Sequence, residues 1–187
     1  MKNFNPTGRI PVLKDGDFVL FESNAILQYI CEKYGFDDLY PKNPQQRALV
    51  SQWLHWHHTA SREFTVAYFA PTVRKDLAKV FTPEFLAPKR AAIKGALKVL
   101  EAQLQKTRFL VGSAPTIADL CVFQDIGQFS PHGLGLGGFD FTPYPAVDKW
   151  MARMEQLPGY KESHELLVSM KPLFEKAVDA SKTQSKM

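Results

Sequence analysis

Residues 8–27 read Gly8-Arg9-Ile10-Pro11-Val12-Leu13-Lys14-Asp15-Gly16-Asp17-Phe18-Val19-Leu20-Phe21-Glu22-Ser23-Asn24-Ala25-Ile26-Leu27, and the residue period changes inside this stretch. Two short apolar runs, Val12-Leu13-Lys14 and Phe18 to Phe21, flank Asp15-Gly16, a dipeptide that suits the positive-φ backbone of a two-residue hairpin turn. From Ser23 onward Ile26, Tyr29 and Ile30 recur at helical spacing, with Ser23 as the N-cap and Gly35 as the stop. Pro11 cannot donate to a strand ladder, so it sits at an edge or beside a cis bond. In the cis case Ile10 turns its N–H and C=O outward, and a bound peptide can pair with it like an added strand. A trans proline at the start of an edge strand is the ordinary alternative. Glu22-Ser23 puts an acid and a hydroxyl at a helix N-terminus, where free N–H groups and the dipole favour an anion by about 0.3–1 kcal/mol. A ligand end carrying both an ammonium and a carboxylate fits that pair: the serine meets the carboxylate and the glutamate the ammonium.

Outward from this unit the chain is almost wholly helical. Residues 36–42 read as a linker, with Pro41 and Pro44 bracketing a helix start at Asn43. Ala48, Leu49, Trp53, Trp56, Ala60, Phe64 and Ala67 form one apolar stripe over 44–70. A loop from Pro71 to Pro88 leads into a helix with Ile93, Ala96, Leu97, Leu100 and Leu104 in register, closed by Phe109-Leu110-Val111-Gly112. Thr116-Ile117-Ala118-Asp119 is a capping box for the next helix. Val147, Trp150, Met151, Met154 and Leu157 mark another helix ended by Pro158-Gly159. A last one spans about 160–178, with Leu166, Leu167, Met170 and Phe174 on its apolar side and Pro172 limiting it. The expected division is 1–36 as a small α/β piece, 37–43 as linker, 44–178 as an all-α domain and 179–187 as a polar tail.

Composition narrows the function classes. A chain of 187 residues with 45% hydrophobic and 22% charged residues can bury one good core or two small ones. The net charge of +4 comes from scattered lysines with no basic, aromatic-interleaved stripe, which argues against nucleic-acid binding. No apolar run reaches the ~18–20 residues of a membrane span, and the first residues carry no signal-peptide core. Cys31 and Cys121 form no CxxC and fall among apolar helix residues, as buried thiols of a reducing cytoplasm do. Gly133-x-Gly135-x-x-Gly138 fits a dinucleotide fingerprint only formally, because Phe139 to Pro143 follow where a helix must start. His55, His57 and His58 cluster without a Cys or acidic set for zinc, so no metal is expected.

Asn5-Pro6-x-Gly8-Arg9-Ile10-Pro11-x-Leu13, then Glu22-Ser23-x-Ala25-Ile26, then Thr116-x-Ala118-Asp119-Leu120 resemble glutathione transferases in order and spacing, over about residues 5–167. Tyr40-Pro41 with Arg47, and Trp56-x-His58-Thr59-x-x-Arg62, look most like the theta-type branch. The resemblance implies a thioredoxin-like N-terminal domain, an all-α C-terminal domain, a cytoplasmic homodimer, and conjugation of glutathione thiolate to hydrophobic electrophiles in detoxification. By matching position, Ile10 and Pro11 would hold the cysteinyl backbone, and Glu22 with Ser23 the γ-glutamyl end. Arg9 beside that site would reach a glycyl carboxylate, and Arg62 would face the cleft. Thr116 and Asp119 match the family's folding cap and not its chemistry. The small molecules implied are glutathione, as a substrate, and a hydrophobic electrophile, with no metal.

The chain departs from the pattern at its start. Family members place a β–α–β unit before this hairpin, carrying the Ser, Tyr or Cys that activates the thiol. Such a unit takes ~30 or more residues, and ten residues precede Pro11. The expectation is therefore a mostly α chain with a truncated thioredoxin-like α/β piece and no assignable catalytic residue. A non-catalytic interaction or assembly module is the alternative reading.

Overall fold

The computed structural model describes residues 4–132, 135 and 139–172. The Phe174 end of the last helix, the polar tail, Gly133 and Gly138 lie outside them.

The hairpin is present, with β1 (Val12–Asp15) antiparallel to β2 (Phe18–Phe21), Val12 opposite Phe21 and Asp15 opposite Phe18. Its turn is shifted by one residue from the Asp15-Gly16 expectation. Gly16 and Asp17 form the loop, and only Gly16 has a positive φ, 60°. A turn with glycine in the first central position needs no second left-handed residue. Asp15 is held in the strand because its carboxylate accepts from the Tyr29 hydroxyl at 2.6 Å and pairs with Lys33. Those two partners hold its pKa below the ordinary carboxylate range, Lys33 contributing most. The hairpin leans on α1 (Ser23–Tyr34), which Gly35 ends in the left-handed region at φ 69°.

After a connection that buries Tyr40 in the core, Asn43 caps α2 (Pro44–Thr59) by accepting from the Gln45 and Gln46 N–H groups. The apolar stripe over 44–70 is carried by more than one helix. Ala60 leaves the helical region, then come α3 (Arg62–Phe64), a π-helical turn over Thr65–Phe69 and α4 (Ala70–Val73). The break lets Ser61 and Thr65 reach a buried acid on another helix, described below. The loop expected to run to Pro88 is shorter, because α5 (Pro83–Leu104) starts at a Thr82 cap that accepts from Phe85 N–H. Pro88 is inside α5. It removes only the donor for the carbonyl of Glu84, an exposed residue where water can substitute.

One core is shared by α2, α5, α6 (Ile117–Ile126), α7 (Pro145–Met154) and the Phe64–Ala67 segment, with Cys31 of α1 joining it. Trp150, Ile93, Leu97, Leu100 and Ile126 are fully enclosed. In α8 (Tyr160–Ser169) Leu167 packs on the core, whereas Leu166, expected on the apolar side, is 72% exposed.

Two buried carboxylates fix the helix starts. Asp119 has no solvent exposure and accepts from Thr116 N at 3.0 Å, Thr116 Oγ1 at 3.1 Å, Leu110 N at 2.8 Å and Trp150 Nε1 at 3.0 Å. The expected capping box is thus also a junction to the preceding loop and to α7. Burial pushes the Asp119 carboxyl up against the pull of those four donors. Glu101, on α5, accepts from Ala146 N and Val147 N at 2.9 and 3.0 Å and so caps α7.

Candidate functional site

The loop ahead of β1 is shaped by one side chain. Asn5 is 2% exposed; its Oδ1 accepts from Thr7 N and Oγ1, and its Nδ2 donates to Arg9 O at 2.8 Å. Gly8, at φ 69°, closes the turn by donating to Asn5 O. The chain then delivers Ile10, 75% exposed, to a cis peptide bond with Pro11.

Across from it, the junction of β2 and α1 differs from a plain Ser cap. The helix begins at Ser23, and Glu22 occupies the cap position at φ 75°, ψ 115°. No side-chain hydrogen bond caps the helix, so the expectation of Ser23 as N-cap is corrected. Glu22 is the one non-glycine residue with positive φ among those described, a conformation that costs on the order of 1–3 kcal/mol and collects at ligand clamps. Its exposed carboxylate and the Ser23 hydroxyl have no protein partner among the described residues.

These pieces share a cavity of about 590 Å³, within the range of small-molecule sites. Ile10, Pro11, Glu22 and Ser23 all line it, as do Arg9 and Arg62, so these six candidate residues share one cavity. The wall supplied by the helical half holds His57, His58, Arg62, Leu120, Cys121, Gln124 and Asp125. Leu120 is its one aliphatic residue, so this wall is mainly polar.

Asp125, 2% exposed, organises that wall. His57 Nε2 lies 2.7 Å from its Oδ2, Thr65 Oγ1 donates at 2.8 Å, Ser61 Oγ at 3.2 Å and Arg62 Nη1 at 3.3 Å. The helix break after α2 is what aims both hydroxyls at it. Sequence reasoning missed Asp125 and its partnership with His57. The usable signal was Cys121, Gln124 and Asp125 at i, i+3 and i+4 of an otherwise apolar helix.

A second tie joins α1 to α2 and α6. Asn24, next to Ser23 and buried, donates from Nδ2 to Leu54 O at 2.8 Å and accepts on Oδ1 from Cys121 Sγ at 3.0 Å. Burial, and then the Asp125 charge, push the Cys121 thiol up to about 12, and Cys31 is also raised by burial. Both thiols are buried. A disulfide-exchange reagent at neutral pH is expected to find no rapidly reacting thiol in the folded chain and two after denaturation. One fast native thiol would contradict this burial. Among the described residues no group of His, Cys, Asp or Glu could hold a metal ion. None of their helices is long and apolar enough to cross a membrane.

The chain is similar in sequence and fold to known proteins. Residues 1–32 match the profile described as Glutathione S-transferase, N-terminal domain, and 83–153 the corresponding C-terminal domain. Bovine glutathione S-transferase theta-1 (Bos taurus) is 36% identical over 174 residues, which cover 89% of this chain and 71% of that one. The chain belongs to the glutathione S-transferase family. The human theta-1 protein is 34% identical over the same share of each chain, in keeping with the theta-like motifs. Among solved structures, a delta-class glutathione transferase of Nilaparvata lugens superposes with TM-score 0.76 at 30% identity, over 94% of this chain and 79% of that one. A homologue from Drosophila mojavensis, solved with bound glutathione, gives 0.73 at 29% identity over 96% and 77%. The mostly helical fold with a small thioredoxin-like piece is therefore that of the family.

Proposed function

We propose that this family member binds glutathione in the 590 Å³ cavity, extended along Ile10-Pro11, with its γ-glutamyl end on Glu22 and Ser23. The observation that carries this reading is the convergence of those residues, with Glu22 held at φ 75° and its carboxylate uncommitted. An α-amino acid end has one charge for each member of the pair: the ammonium meets Glu22, while the carboxylate meets Ser23 and the open N–H groups of the first turn of α1. Arg9 lies beside this line and is the proposed partner of the glycyl carboxylate. The family's homodimer and its cytoplasmic setting belong to the same proposal, as does the partition into an N-terminal piece (1–36) and a helical domain (44–178).

Capture on immobilised glutathione, eluted by free glutathione, tests the site. Retention is expected, and flow-through at millimolar ligand would refute it. Conjugation is a separate matter. The cavity's one hydroxyl among the described residues is Ser23, assigned to the γ-glutamyl end, and its one thiol is the Cys121 group raised to about 12. Neither is placed to stabilise a ligand thiolate, so turnover of a standard aromatic electrophile by residues 1–187 is expected to stay near the uncatalysed rate. This favours, as a second reading, a glutathione-binding or assembly module that does no chemistry. Clear turnover above background would exclude it.

A further inference from the structure

The cavity holds a donor whose orientation can be deduced bond by bond. The carbonyl of Leu54 can only accept, so the Asn24 group 2.8 Å from it is the amide nitrogen, and the Asn24 oxygen faces the Cys121 thiol at 3.0 Å. The second N–H of that nitrogen points to His58 Nε2 at 3.2 Å. An amide nitrogen has no lone pair to offer, so Nε2 must accept, and the imidazole proton is left on Nδ1. His58 is exposed and lines the cavity between α2 and the Glu22-Ser23 wall, whereas its neighbour His57 is buried and committed to Asp125.

We propose that His58 donates its Nδ1–H to an acceptor atom of the bound tripeptide, and that Asn24 is a positioning residue that sets this tautomer. The inference rests on the glutathione reading above. Asn24 thereby does two things with one side chain. It fixes the first turn of α1 against α2 and α6, and it turns an ambivalent ring into a donor.

The test measures glutathione affinity by calorimetry on the full chain. His58→Phe, at an exposed position, should weaken binding roughly three- to tenfold, while His58→Gln, which keeps an N–H donor, should recover most of the loss. Asn24→Asp leaves only acceptors facing Nε2, so the single proton of a neutral ring must move there, and affinities are compared in mildly alkaline buffer. Its loss should match that of His58→Phe, and the double variant should lose no more than either alone. Long-range proton–nitrogen correlation spectra in mildly alkaline buffer read the tautomer without any ligand: Nδ1–H in the unaltered chain and Nε2–H in Asn24→Asp. If Asn24→Asp does not fold, the unaltered chain's spectrum and the two His58 variants still decide. Tight binding by His58→Phe, or an Nε2–H tautomer in the unaltered chain, overturns the inference and leaves the glutathione reading standing. Absence of binding by the unaltered chain overturns both.

Discussion

Asp119→Ala is expected to destabilise the fold by about 3–5 kcal/mol, the scale for removing one side of a fully buried polar arrangement. Four donors lose their acceptor together: Thr116 N, Thr116 Oγ1, Leu110 N and Trp150 Nε1. Each buried donor left unmet costs about 1–3 kcal/mol, and partial relaxation keeps the sum below four such penalties. No solvent can reach the site to substitute, since Asp119 and Trp150 have zero exposure. For a chain of this length each kcal/mol lowers the melting temperature by about 2–4 °C, so a fall of roughly 10 °C is expected in a calorimetric scan. Thr116→Ala removes only the hydroxyl partner and should cost about 1 kcal/mol, as ordinary caps do. Equal effects from the two substitutions would mean that the carboxylate acts only as a helix cap and not as a junction.

The largest effect on ligand binding is expected at Glu22. Glu22→Gln keeps the side-chain length and the backbone demand at φ 75° while removing the negative charge. A charge-assisted hydrogen bond to a ligand ammonium is worth about 1.5–3 kcal/mol, so affinity for glutathione should fall roughly ten- to hundredfold. The melting temperature should barely move, because the carboxylate makes no ion pair within the described residues. Glu22→Gly separates the two roles of the position: it relieves the positive φ and is expected to raise stability slightly while losing the same affinity. A dissociation constant unchanged in Glu22→Gln would show that the ammonium docks elsewhere.

Local signals are legible in the sequence where one residue settles the geometry. Gly35 ends α1, Asn43 and Pro44 start α2, and the Thr116/Asp119 box starts α6, as their chemistry requires. The hairpin was legible too, but its turn slipped by one residue because Tyr29 and Lys33 claim Asp15 for the strand. The break at Ala60 was invisible for the same kind of reason. The apolar stripe runs on through Phe64 and Ala67, and what interrupts the helix is the pull of Asp125 on Ser61 and Thr65, some sixty residues away in sequence. Along the cavity, Ile10, Pro11, Glu22 and Ser23 are legible from motif spacing. His57, His58, Cys121, Gln124 and Asp125 are not, because their shared wall exists only once α2 and α6 pack.

The capping of α7 by Glu101 has a consequence for how the molecule opens. The first turn of α7 takes its acceptor from a side chain on α5, forty-five positions earlier, so α7 has no complete N-terminus until α5 is docked. Deuterium should therefore enter the Ala146 and Val147 amides only in the excursions that also release the inner face of α5. The two helices form one cooperative unit whose protection rises and collapses together.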